Sequence, residues 1–248
     1  MILQKAVSLT GLNNSGIPQR DTVRRQRARG YGKKSSEAAQ PTLVLASGSP
    51  RRMSLLAQIG IEPTALRPTS VDETPKRAEI PRRLAHRLAR SKAQVARDQI
   101  ADDAELADAY VLAADTVVSV GRRVLGKPSV LEEAIACLEL LSGRSHRVTT
   151  AVCLITPKDL MRTKIVETRI RFRRLSREEI EAYIASREWR GKAGGYAIQG
   201  VAGCFVQRLV GSYSNVVGLP LTEVANLLIS EKMPIHHAWP NAAEIDIE

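Results

Sequence analysis

Two adjacent arginines, Arg51 and Arg52, stand where the sequence changes from a short apolar run to a helical pattern. The run at residues 43–46 predicts a buried strand, and Ser49 followed by Pro50 is typical of a helix start. The free N–H groups at a helix start attract anions, and two guanidinium groups beside them can hold a phosphate bidentately. The segment therefore predicts a phosphate site, with an ordinary strand-to-helix turn as the alternative.

A lysine on an apolar helix face is a second candidate for chemistry. The pattern over residues 81–97 predicts an amphipathic helix whose other face carries His86 and five arginines, so His86 is expected to be solvated. Lys92 falls at about 80° on the helical wheel that starts at Leu84, inside the apolar arc. Because a buried, unpaired ammonium is costly, we expect Lys92 to point into a cleft; snorkelling at the helix end is the alternative.

Asp115 raises the same question in a strand. Residues 110–120 form an apolar run that predicts a buried strand, and strands disfavour Asp. A carboxylate at such a place commonly binds a metal or acts as a base. A structural aspartate that accepts backbone N–H bonds is the alternative.

Three loop residues add to these candidates. Lys127 lies on a stiff turn between a glycine and a proline, which could aim an ammonium at phosphate. Glu73 is a loop acid that, taken alone, is expected to be solvated. Gln199 lies in the glycine-rich residues 191–203, which allow close backbone approach to a ligand or form a flexible hairpin. Its amide can both donate and accept, which suits the edge of a pyrimidine base.

Strands and helices mostly alternate along the chain, which predicts an α/β fold with a mixed sheet. Two Ser-x-x-Glu patterns, Ser129 with Glu132 and Ser176 with Glu179, predict helix starts with capping boxes. Strands are expected at 43–46, 110–120, 146–155, 164–172 and 205–210, and helices at 50–59, 81–97, 129–141, 176–184 and 220–229.

The distribution of charge argues against a nucleic-acid partner. The net charge is +11, but residues 1–40 contribute +6 of it, from eight Lys or Arg and two acids, and the remaining 208 residues contribute +5. Only 4% of the residues are aromatic, so stacking platforms for bases are few.

No apolar run is long enough to span a bilayer. Three cysteines without metal-ligand spacing indicate reduced thiols and a cytoplasmic location.

The two ends of the chain lack the patterning of the middle. Residues 1–40 mix Gly, Asn, Ser, Gln and Arg without periodicity, which predicts a disordered basic extension, with an organelle transit peptide as the alternative. Residues 232–248 contain two prolines and a histidine pair and are expected to form a C-terminal tail. Residues 41–231 are left as the expected domain.

Five segments stand out as motifs: Ser-Gly-Ser-Pro-Arg-Arg at 47–52, Ala-Asp-Thr at 114–116, Gly-Lys-Pro at 126–128, Lys-Ala-Gly-Gly-Tyr-Ala-Ile-Gln-Gly at 192–200 and Val-Val-Gly-Leu-Pro-Leu at 216–221. They resemble the motifs of the Maf family, in the order in which that family uses them. The family comprises nucleoside triphosphate pyrophosphatases, also named septum-formation inhibitors. The resemblance implies that residues 41–231 form a Maf-like pyrophosphatase domain. Its fold would be like that of inosine-triphosphate pyrophosphatases, with a long mixed central sheet, flanking helices and two lobes around a cleft.

The same resemblance implies hydrolysis of a nucleoside triphosphate to the monophosphate and pyrophosphate with a divalent metal, Mg²⁺ or Mn²⁺. Glu73 and Asp115 match the metal-binding acids. Asp115 also matches the proton acceptor that activates water for attack on the α-phosphorus. Lys92 and Lys127 would join it as catalytic residues that neutralise developing charge.

Five residues are expected to bind the substrate, and three of them indicate which substrate. Arg52, Thr116 and Gln199 stand where a 7-methyl-GTP branch of the family has other residues, so the chain resembles the dTTP/UTP branch. Ser47 and Arg51, from the first motif, complete the set.

Two other classes of function stay open at this point. One is the same chemistry on a purine nucleotide, of the 7-methyl-GTP or the inosine type. The other is a regulator of cell division or a nucleic-acid-binding protein that uses the basic extension. The expected partner is a small-molecule nucleotide, no membrane is expected, nucleic acid is disfavoured, and a homodimer stays open.

Overall fold

The computed structural model describes residues 41–236 and residue 239. The basic extension expected at residues 1–40 lies outside the described residues, as does most of the tail expected at 232–248. Beyond the domain limit expected at residue 231, Met233 and Ile235 are still buried in the core. In the part of the chain that the structure describes, no helix is long and apolar enough to cross a bilayer.

A mixed sheet of seven strands forms the centre of the fold. In chain order the strands are β1 (Leu43–Leu45), β2 (Ala65–Leu66), β3 (Tyr110–Val120), β4 (Arg123–Leu125), β5 (Ser145–Ile155), β6 (Met161–Phe172) and β7 (Val206–Val210). They lie in the order β2-β1-β3-β5-β6-β7, and β4 pairs with β3 beside this path. β1 is parallel to β2 and to β3, and the other pairings are antiparallel. The expected α/β fold with a mixed sheet is confirmed.

Helices cover both faces of the sheet, so each face has its own hydrophobic core. The helices are α1 (Pro50–Ala57), α2 (Pro81–Gln99), α3 (Leu131–Leu141), α4 (Arg177–Ser186), α5 (Tyr213–Val217) and α6 (Leu221–Ser230). Leu84 and Leu88 of α2 belong to one core, and the other five helices contribute to the second. Successive strand residues point to opposite faces, which is why Val44 joins the core of α2 while Leu43 and Leu45 join the other.

Only one of the two expected capping boxes is present in the described part of the chain. At Ser176 the prediction is confirmed, because its hydroxyl accepts from Glu179 N and the Glu179 carboxylate accepts from Ser176 N. At Ser129 it is wrong. The N-cap of α3 is Val130, so Ser129 lies one residue too early for its hydroxyl to cap the helix; its N and Oγ donate to the Glu133 carboxylate at 2.7 and 2.9 Å.

The elements that the sequence patterns miss are all short. β2 and β4 have two and three residues and α5 has five, too few for either a two-residue or a 3.6-residue period to show. α5 matters for the site, because it brings Gly218 to the cavity described next.

Candidate active site

A cavity of about 520 Å³ lies beside the turn from β1 to α1. The middle of β3 forms another part of its wall. The cavity is not formed by one stretch of chain, because strands, helices and loops that are far apart in the sequence all contribute to its walls. All nine residues expected at the site line it: Ser47, Arg51, Arg52, Glu73, Lys92, Asp115, Thr116, Lys127 and Gln199. The sequence prediction therefore named residues that the fold brings together.

Lys92 and Asp115 meet at the floor of the cavity. The Lys92 Nζ lies 2.5 Å from Asp115 Oδ1 and 2.7 Å from Glu73 Oε1. Both residues of the buried pair are nearly inaccessible, at 8% for Lys92 and 5% for Asp115. Lys92 thus reaches into the cavity as expected and does not snorkel. α2 holds it there, because the apolar face of this helix packs on β3 and β5.

Glu73 links this buried pair to a second lysine at the mouth of the cavity. Its carboxylate accepts from Lys92 through Oε1 and from Lys127 through Oε2, both at 2.7 Å. Partial burial raises the pKa of Glu73, but the hydrogen bonds from Lys127 and Lys92 outweigh it and hold the pKa at about 2. Glu73 is therefore ionised at neutral pH, and although its side chain is 41% exposed, as expected for a loop acid, it also bonds to two lysines.

The loop that carries Glu73 is held by Arg87, a residue that the sequence analysis placed only on the basic face of α2. Arg87 donates to both oxygens of Glu79 at 2.9 Å, to Thr74 O at 2.9 Å and to Asp72 O at 3.3 Å. Two of these contacts flank Glu73 directly. Nothing in the spacing of the sequence separates Arg87 from its neighbouring arginines. On the same face, His86 is also not simply solvated, since it is half-buried and lies 3.3 Å from Thr163 Oγ1.

Arg52 organises the end of the cavity beside Thr116. Its Nε donates to Gly218 O at 2.9 Å, its Nη1 to Ser47 Oγ at 3.1 Å and its Nη2 to Thr116 Oγ1 at 3.3 Å. The pKa of Arg52 is lowered overall, because the effect of burial exceeds the opposite effect of the nearby Asp115 and Glu73 carboxylates. The guanidinium thus fixes two hydroxyl groups, and Gly218, with φ of 132°, brings its carbonyl within reach in a backbone conformation that favours glycine.

The cavity carries an excess of positive charge. Five cationic side chains but only two carboxylates line it, the cations being Arg51, Arg52, Lys92, Lys127 and Lys192. The carboxylates of Glu73 and Asp115 are already bonded to Lys92 and Lys127. Burial lowers the pKa of Arg51, and so does its neighbour Arg52; burial and Arg51 likewise lower the pKa of Lys192. Mutual repulsion of this kind favours an anionic ligand.

The cavity offers few ligands for a divalent metal. Within residues 41–236 and 239, no group of three or more His, Cys, Asp or Glu side chains could hold one. Glu73 and Asp115 are the two carboxylates of the cavity. Mg²⁺ is commonly held by one or two carboxylates together with substrate phosphates. The residues therefore fit a metal that shares its ligands with a phosphate chain, and they do not form a cage made by protein alone.

Gln199 lies on a segment that is anchored, which makes the expected flexible hairpin wrong. Two short 3₁₀ turns, Ala193–Gly195 and Val201–Phe205, flank Gln199, and the Glu188 carboxylate accepts from Val201 N at 3.2 and 3.0 Å. A Cβ at Gly200 would lie 2.2 Å from Glu188 Oε2, so a side chain at this position would displace the Glu188 carboxylate that accepts from Val201 N. Gly194 N donates to Gly126 O at 2.9 Å, which ties the segment to the loop of Lys127.

Comparison with known proteins gives one consistent result. Residues 42–231 match the family model described as Maf-like protein. A dTTP/UTP pyrophosphatase of Bradyrhizobium diazoefficiens is 61% identical over 206 residues, which cover 83% of this chain and 99% of that protein. Proteins of the same name from Rhodopseudomonas palustris and Nitrobacter winogradskyi are 63% and 62% identical, over 82% and 83% of this chain and 98% and 99% of their own lengths.

Proposed function

The chain belongs to the Maf-like protein family, and from this premise we propose that it hydrolyses dTTP and UTP to the monophosphate and pyrophosphate. The observation that carries the proposal is the high identity to relatives named dTTP/UTP pyrophosphatase over nearly their whole length. The gathering of all nine expected site residues in one cavity supports it.

The positive excess of the cavity suits a triphosphate. Arg51 stands in the first turn of α1, where free N–H groups and the helix dipole favour an anion. Lys127 and Lys192 lie on loops at the cavity wall and can turn their ammonium groups to phosphate oxygens. Lys127 would exchange its contact with Glu73 for one with the phosphate chain. These residues would hold the triphosphate and offset the charge that develops on the leaving pyrophosphate.

Asp115 is the proposed base. Its carboxylate would take a proton from a water molecule as that water attacks the α-phosphorus, so that the bond to the pyrophosphate oxygen breaks. Lys92 contacts the same carboxylate and fixes its position.

Glu73 and Asp115 would hold a divalent cation, Mg²⁺ or Mn²⁺, together with phosphate oxygens. When bound, such a cation supplies charge stabilisation to the phosphates. The lysines that now contact both carboxylates compete for the same oxygens. Lys127, which is half exposed, is therefore expected to move toward the phosphates when the cation and the nucleotide bind, while Lys92 stays beside Asp115.

Product analysis tests the proposed function. The purified full-length chain would be incubated with dTTP, UTP, CTP, 7-methyl-GTP and ITP, each with Mg²⁺ or Mn²⁺, and pyrophosphate and phosphate would be measured separately. Pyrophosphate release that is fastest from dTTP and UTP and needs the cation is expected. Release of phosphate would contradict attack on the α-phosphorus, and faster turnover of a purine nucleotide would contradict the substrate assignment.

A further inference from the structure

Three hydrogen bonds run in a line from the cavity into the protein interior. Thr116 of β3 and Thr150 of β5 are directly opposite in the antiparallel register, and their hydroxyl oxygens lie 2.9 Å apart. Thr150 Oγ1 lies 2.9 Å from Asn215 O, and on the cavity side Arg52 Nη2 lies 3.3 Å from Thr116 Oγ1. Thr116 lines the cavity, whereas Thr150 is 0% exposed and is not among the residues that line it.

The two ends of this line fix the direction of every proton in it. Asn215 O is a carbonyl and can only accept, so Thr150 uses its single hydroxyl proton there. This carbonyl is available because it lies in the last turn of the short helix α5, where both Gly218 N and Leu219 N donate to Ser214 O.

The direction of the Thr116 hydroxyl proton then follows. With the Thr150 proton already used, Thr116 must donate its own proton to Thr150. The guanidinium of Arg52 can only donate, so Thr116 accepts from it. One lone pair is left on Thr116 Oγ1, and a ligand in the cavity therefore meets an acceptor and no proton.

We propose that Thr150 holds Thr116 as a hydrogen-bond acceptor and thereby selects uracil and thymine over cytosine. The inference rests on the proposed pyrimidine-nucleotide activity. N3 of uracil and of thymine carries a hydrogen that can be donated to Thr116, whereas N3 of cytosine is itself an acceptor. Two acceptors that face each other leave a polar edge without a partner, which lowers binding of the wrong base. Thr150 is thus a positioning residue for base selection.

Three variants test this with UTP and CTP as the probes. Thr150→Val removes the hydroxyl but keeps the shape, so the Thr116 proton becomes free to turn toward cytosine N3. The ratio of kcat/KM for UTP to that for CTP should fall about tenfold or more. Thr150→Ser restores the hydroxyl and should keep the ratio of the unmodified chain. Thr149→Val makes the same change at the neighbouring buried position, which points to the opposite face of the sheet, and should also keep the ratio.

A second arm leaves the buried position untouched, in case Thr150→Val does not fold. Thr116→Val removes the acceptor itself, so kcat/KM should fall about tenfold for UTP and change little for CTP. The inference is overturned if Thr150→Val keeps the original ratio, if Thr150→Ser shifts it as far as Thr150→Val, or if Thr116→Val lowers both substrates equally. Failure of the unmodified chain to release pyrophosphate from any nucleotide would instead overturn the proposed function, and the inference with it.

Discussion

At the scale of single residues, the site depends on buried charges that are kept only because they are paired. Lys92 and Asp115 would each be costly alone in an apolar surrounding. Their contact at 2.5 Å, extended by Glu73, compensates that cost. Removing one partner leaves the other buried and unpaired, which lowers stability. Comparison of the single variants with the double variant measures this contribution to stability separately from the effect on catalysis.

Asp115→Asn should abolish most of the activity. The amide is nearly isosteric with the carboxylate but cannot accept a proton, so turnover of dTTP should fall roughly 10²-fold or more. Asp102→Asn, at an exposed position outside the cavity, is the matched control and should leave turnover unchanged. Near-normal turnover in Asp115→Asn would remove Asp115 from the role of base.

Lys92→Met should lower the free energy of unfolding by about 3 kcal/mol, because it leaves the Asp115 carboxylate buried without its ammonium partner. Adding Asp115→Asn to Lys92→Met should recover part of that loss. Urea unfolding of the unmodified chain, of both single variants and of the double variant measures the coupling. If the effects of the two substitutions simply add, the ion pair does not contribute to folding.

At the scale of elements, α2 serves the site in two directions at once. Its apolar face packs under the sheet and delivers Lys92 to the cavity floor, while Arg87 on another face holds the loop of Glu73. The glycine-rich segment is fixed in a similar way, by Glu188 and by its bond to the loop of Lys127. The loops of the cavity are therefore positioned by side chains that do not line it.

Arg87→Ala should release the loop of Glu73, and kcat/KM for dTTP should fall about tenfold as Glu73 loses its fixed position. Some loss of stability is expected as well, because Arg87 binds both oxygens of Glu79, whose side chain is only 9% exposed, so kcat/KM is compared at a temperature at which both proteins are folded. Arg87→Lys keeps a charge for Glu79 but lacks the planar fork that reaches two backbone carbonyls, so an intermediate loss is expected. Arg83→Ala, at an exposed position of the same helix, provides the control.

At the scale of the whole molecule, one sheet with a core on each face also buries a titratable group beside the cavity. His146 is 2% exposed, packs edge-on against Phe172 and lies 2.8 Å from Tyr196 Oη. Its Nδ1 is buried without a hydrogen-bond partner. Burial alone lowers the pKa of His146 to about 4, so the folded protein holds this imidazole neutral.

Acid should therefore destabilise the fold through His146. An unfolded histidine has a pKa near 6.5, so between that pH and 4 the unfolded chain binds a proton that the folded chain does not. The contribution is complete above pH 6.5 and is lost as the pH falls toward 4, by about 3 kcal/mol in total. His146→Gln should show a correspondingly shallower fall of the unfolding free energy between pH 7 and pH 4. Equal slopes for the two proteins would contradict the buried neutral state.

The sequence by itself determined the long elements and the identity of the site residues. Helix α2 and strand β3 carry enough residues for their periods to be clear, and within them Lys92 and Asp115 stand out because a charge there conflicts with the pattern. The ordered motifs added the remaining candidates, and these line the same cavity. Such features are local, so one stretch of residues is enough to reveal them.

Only the tertiary structure decided what holds those residues in place. Arg87 reaches a loop 13 to 15 residues away, Thr150 meets Thr116 across 34 residues, and Arg52 meets Gly218 across 166. These contacts join groups of ordinary type at unremarkable positions, so neither periodicity nor composition marks them. The direction of a hydroxyl proton depends on its partners in space, and those partners are brought together only when the sheet has formed.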